Sequence, residues 1–129
     1  MPRTPILVVA VAILGAATVS AHHSYGAFDQ EHPVIIEGDV TRVTFANPHV
    51  IITVQATDTE YSVEWLSLYQ LRRWNISKDD LRVGDHVVVR GSIPRDKTDH
   101  RLSVVTDIRR SSDGWSWMRD ISHLPDTHP

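Results

Sequence analysis

Period-two alternation of apolar residues, repeated in five short runs between residues 34 and 110, limits what this chain can become. A run with that period presents one face to a core and the other to water, as a half-buried strand does. The first run, Val34–Phe45, places Val34, Ile36 and Val40 in one phase and then Val43 and Phe45 in the other. A change of phase within a strand predicts a bulge, and Gly38 fits a bend around a barrel corner. His49–Ala56 sets Val50, Ile52 and Val54 against His49, Ile51, Thr53 and Gln55. Glu60–Leu66 sets Tyr61, Val63 and Trp65 against Ser62, Glu64 and Leu66. His86–Ile93 and Arg101–Arg110 complete the set. In the last of these, Leu102, Val104, Thr106 and Ile108 share one face, with Val105 on the other.

Turn residues separate the runs: Ala46-Asn47-Pro48, Thr57-Asp58-Thr59, Val83-Gly84-Asp85 and the polar loop Pro94–His100. Between the third and fourth runs, Ser67–Trp74 carries Leu68, Leu71 and Arg72 at helical spacing, with Ser67 as N-cap. Ser77–Leu81 reads as a second helical turn. The expectation is an all-β domain: a five-stranded, OB-like, partly open barrel with one short helix between strands 3 and 4. A β-sandwich usually needs about seven strands. Past Ser111 the alternation stops, so residues 111–129 read as a tail after a domain at 22–110.

Residues 1–21 have the pattern of a secretory signal. Arg3 supplies the positive region, Ile6–Gly15 the apolar stretch, and Val19-Ser20-Ala21 small residues for cleavage. The apolar stretch is shorter than the roughly 20 residues that span a bilayer. The reading is therefore cleavage after Ala21 and delivery to a bacterial periplasm, with membrane contact only through an uncleaved signal segment. There is no cysteine, which excludes a disulfide, a thiolate metal site and a cysteine nucleophile. Lys and Arg total 13 against 16 Asp and Glu, a balance that argues against a nucleic-acid partner. No Gly-rich phosphate loop, H-E-x-x-H or G-x-S-x-G motif occurs.

Histidine is overrepresented, at 8. Cleavage after Ala21 makes His22 the first residue, so one residue carries both an α-amine and an imidazole. With the neighbouring His23, and with His49 after Asn47-Pro48, this gives a nitrogen-rich set suited to copper, with zinc as a second choice. The same residues also read simply as a solvated terminus and a turn. The five other histidines, His86 at a strand start and His32 included, lie otherwise in loops or near the chain end and read as incidental.

The leading expectation is thus an exported metal carrier or accessory protein. A second is a non-enzymatic module that holds a periplasmic protein or a small ligand through Trp65, Trp74, Trp115 and Trp117. A third is an N-terminal-histidine copper oxidoreductase. Trp65 and Trp74, with Tyr69, read either as an aromatic plug or as a stacking platform. Trp115–Met118 reads either as an exposed patch or as a closure of the barrel's open end.

Three features in order carry a resemblance: Ala21-His22-His23-Ser24, Asn47-Pro48-His49, and Leu71-Arg72-Arg73-Trp74 followed by Leu81-Arg82-Val83-Gly84-Asp85. Together they resemble a family of small exported bacterial proteins of unknown function, over roughly His22 to Arg110. The resemblance implies an exported, OB-like β domain and supplies no activity.

Overall fold

The computed structural model describes residues 25–119. β1 (Val34–Thr44) is the longest strand, and Ile36, Gly38 and Val40 on its inner face are buried. It pairs antiparallel with β4 (His86–Ser92) from Val34↔Gly91 to Asp39↔His86. It also pairs with β2 (Ile51–Gln55) from Asp39↔Gln55 to Thr44↔Ile51. The register slips between Val40 and Arg42, which is the bulge the phase change predicts. One strand thus serves two neighbours by bending between them.

β3 (Glu60–Glu64) follows β2 as an antiparallel neighbour, and β5 (Arg101–Arg110) follows β4. A short parallel contact, Ser62↔Arg101 and Val63↔Leu102, joins β3 to β5 and closes a five-stranded barrel. This is the OB-like order expected. Val50, Ile52 and Val54, all at most 1% exposed, meet Val63, Val89 and Ile108 inside.

β5 departs from its expected phase. Val104 has a φ of 49° and is only partly buried, while Leu102, Val105 and Ile108 fill the core. The steps from Ser103 to Asp107 on β5 lie opposite the shorter run from Ser92 to Arg90 on β4. The extra residues bulge out and reverse the alternation, so Val105 takes the place expected for Val104.

α1 (Leu68–Arg73) begins as expected at Ser67. The Ser67 hydroxyl accepts from the Gln70 N–H, and the Gln70 side chain accepts from the Ser67 N–H, a reciprocal cap. Leu71 faces the core, and Leu68 N–H donates to Asn47 Oδ1 at 3.1 Å, tying α1 to the β1–β2 turn. Residues 77–81 form a tight turn and not a helix: Ser77 N–H donates to Asp80 Oδ2, and Asp79 N–H to the Ser77 hydroxyl.

The chain past Ser111 forms a sixth strand. β6 (Trp115–Met118) pairs antiparallel with the end of β5, from Arg110↔Trp115 to Asp107↔Met118. Before β1, a 3-10 turn at Tyr25–Ala27 leads to Phe28, which is buried against Pro94 and lies under the Arg101 guanidinium at 5.4 Å. Asp29 N–H to Ile93 O and Arg95 N–H to Ala27 O hold this segment along the chain leaving β4. No described helix is long and apolar enough to cross a membrane.

Candidate functional site

All four tryptophans of the chain converge at the mouth of the barrel that carries α1. Trp65 leaves β3, Trp74 ends α1, and Trp115 and Trp117 alternate on β6. The Trp65 ring meets Trp117 edge-on at 5.3 Å and Trp115 at 6.4 Å, and Trp74 meets Trp117 at 6.1 Å. Edge-to-face pairs at such spacings contribute about 0.5–1.5 kcal/mol each beyond burial. Trp65 and Trp117 are both 4% exposed, and neither indole N–H has a hydrogen-bond acceptor among the described residues. An unpartnered buried donor costs about 1–3 kcal/mol, so the packing here outweighs a real polar penalty. Trp74, 43% exposed, and the more exposed Tyr69 and Met118 show apolar surface around the cluster. An open groove of about 350 Å³ runs beside it, lined by Arg109–Ser111 and Gly114–Met118.

Arg110 fixes this wall. Its guanidinium pairs with Asp85 Oδ2 at 2.6 Å and with Asp113 Oδ2 at 2.8 Å, donates to the Asp80 carbonyl, and lies 5.3 Å from the Trp115 ring centre. Asp85 Oδ2 also accepts the Arg82 N–H. The hydrogen bonds from Arg110, then from the Trp115 N–H, hold the Asp113 carboxyl down at about 2. The β5–β6 hairpin is thereby braced against the turn that precedes β4.

The expected metal ligands fall in different places. His22 and His23 lie outside the described residues. His49 is exposed just before β2, at the α1 mouth, and has no hydrogen bond or ion pair among the described residues. The described segment nearest His22 begins at Tyr25 and packs along Ile93–Arg95, at the mouth where β4 ends and β5 starts. No described hydrogen bond joins that segment to His49. Asp29, Glu31 and His32 on the same segment have ligand-type atoms within 4.8 Å of one another, and His32 Nδ1 already lies 3.2 Å from the Asp29 carboxylate. All three side chains belong to partly or fully exposed residues.

His86, to which no sequence pattern points, has the most specific surroundings of the described histidines. On the outer face, Nε2 lies 2.9 Å from Glu37 Oε1 and Nδ1 2.7 Å from Asp39 Oδ1. Glu37 and Asp39 sit two apart on β1, and Asp39 is the cross-strand partner of His86. Both contacts need a ring N–H, which only the imidazolium supplies. The Glu37 bond first, then the Asp39 bond, raise the histidine above its ordinary 6.5. A raised value stabilises the fold below the unfolded-state pKa, and that contribution is lost as pH rises through the folded one. Urea midpoints are therefore expected to fall as pH rises above the histidine's ordinary 6.5, with His86→Gln flattening that decline. An unchanged slope in the variant would show the clamp to be energetically silent.

Of the four tryptophans, the sequence connects only Trp65 and Trp74, through the helix. The convergence with Trp115 and Trp117 depends on β6, whose four residues are too few for periodicity to register.

No curated protein matches the chain. A family model described as a family of unknown function, DUF6152, matches residues 9–103, a span that contains Trp65 and Trp74 and stops before Trp115 and Trp117. With most of its length covered by that match, the chain belongs to this family of unknown function.

Proposed function

We propose that this protein is a non-catalytic binding module, exported to the periplasm, whose working surface is the tryptophan-lined mouth. The observation that carries the reading is the concentration of all four tryptophans at one mouth, with apolar surface left exposed around them. Aromatic residues grouped in this way are enriched where proteins hold partners or ligands. The expected cleavage after Ala21 supports export, and the β2 and β3 alternation supports a barrel that serves as scaffold.

His49 favours a second reading. Its imidazole is exposed and unengaged among the described residues, which leaves both ring nitrogens open to copper or zinc alongside His22 and His23. On this reading the protein is a metal carrier.

One preparation separates the two. Protein isolated from its own periplasm is examined by native mass spectrometry and for metal content. The binding reading expects a first residue at His22, plus a co-purifying ligand or partner that is lost in the double variant Trp74→Ala, Met118→Ser while metal content stays unchanged. Both residues are exposed, so the fold tolerates the change. Stoichiometric copper with an otherwise bare protein supports the carrier reading instead.

A further inference from the structure

We propose that the groove beside β6 binds a small carboxylate with an apolar body, such as a medium-chain alkanoate. The proposal rests on the tryptophan mouth as working surface and names its ligand class.

The groove's lining is one-sided in its chemistry. Among the described residues its charged side chains are Arg109 and Arg110, and no acidic side chain lines it. Arg110 is committed to Asp85 and Asp113, which neutralise its charge and leave it as a fixed structural wall. Arg109 is 61% exposed and holds one longer contact, 3.3 Å to Asp107, which leaves most of its fork for an incoming anion. The hydroxyls of Ser111 and Ser116 have no partner among the described residues and add further donors. The remaining lining is apolar: Trp115, Trp117 and the exposed Met118. A ligand that matches this set has acceptor oxygens at one end and hydrocarbon at the other.

Size points the same way. About 350 Å³ lies in the range of small-molecule sites, roughly 300–1,000 Å³. The groove is confined to one hairpin, whereas a stable protein interface buries about 1,200–2,000 Å² in total. The part of the Arg109 fork left open beside its single contact to Asp107 selects an anion over a neutral amphiphile.

Decanoate and decan-1-ol, matched in chain length, are the probes, and the intrinsic tryptophan emission of the full chain is the readout. The expected result is a saturable change with decanoate and binding of decan-1-ol weaker by about tenfold or more, the range of a lost charge-assisted hydrogen bond. Arg109→Gln is expected to weaken decanoate by about tenfold and leave decan-1-ol unchanged. Arg109 is exposed, so its loss spares the fold, and circular dichroism of the variant checks this. Equal affinity for acid and alcohol, or no effect of Arg109→Gln, overturns the proposal. So does an emission change that appears only with phosphatidylglycerol vesicles, which assigns the surface to a membrane. A co-purifying ligand lost in the Trp74, Met118 double variant, without decanoate binding, overturns this proposal alone and leaves the tryptophan mouth as the working surface.

Discussion

Trp117→Ala is expected to lower stability by about 3 kcal/mol, near the lower end of the usual range for a buried tryptophan. The ring is 4% exposed, stands opposite Ile108 across the β5–β6 ladder, and touches both Trp65 and Trp74. Its removal leaves a void lined by Trp65, Trp74 and Ile108, which are held in place by their own packing. The loss stays toward the lower end because a buried, unpartnered N–H leaves with it. Trp117→Phe separates the two effects. It keeps most of the ring and discards the orphan donor, and its expected cost is within about 1.5 kcal/mol of zero. For a domain whose whole stability is of order 5–15 kcal/mol, the alanine variant is a severe change. Urea unfolding of the three proteins decides the matter. If Trp117→Ala unfolds at the wild-type midpoint, β6 is an appendage and the mouth has no structural floor.

That test addresses the part of the fold that periodicity could not reach. The first four strands are legible in the sequence because each is half-buried and alternation marks its inner face, as with Val50, Ile52 and Val54. The α1 start is legible because Ser67 and Gln70 are capping residues at capping distance. β5 was legible in extent but not in phase. A bulge inside a strand shifts the alternation without changing composition, and valines at both 104 and 105 hide where the shift falls. The candidate site was less legible than the fold. The contact of Arg110 with Asp85 joins residues far apart in the chain, and the clamp of His86 between Glu37 and Asp39 depends on the pairing of β1 with β4. The histidine total drew attention to His22, His23 and His49. Yet the described histidine with two carboxylate partners is His86, on the outside of an ordinary strand pair.

The position on which barrel geometry depends most sharply is Gly38, and Gly38→Ala is expected to cost about 3 kcal/mol or more. A Cβ built there falls 2.0 Å from the Gln55 carbonyl oxygen, 2.6 Å from its carbon and 2.9 Å from the Ala56 nitrogen. Every one of those atoms is backbone, so no side chain can rotate away. β1 cannot retreat easily either. Just beyond, Val40 donates to the Asp85 carbonyl and accepts from the Gly84 N–H, while Ile36 and Val40 are locked in the core. The methyl group therefore has to push β2 off β1 near Asp39↔Gln55, where β1 passes from one partner to the other. At 4–8 °C per kcal/mol for a domain of this size, the melting temperature is expected to fall by roughly 12–24 °C. Gly84→Ala supplies the contrast. Gly84 has a φ of 96° and open space around it, so alanine there meets conformational strain without collision, at about 1–2 kcal/mol. Thermal unfolding of both variants checks the ordering. A Gly38→Ala protein that melts within a few degrees of wild type would mean that β1 and β2 do not approach this closely, and that the barrel turns its corner elsewhere.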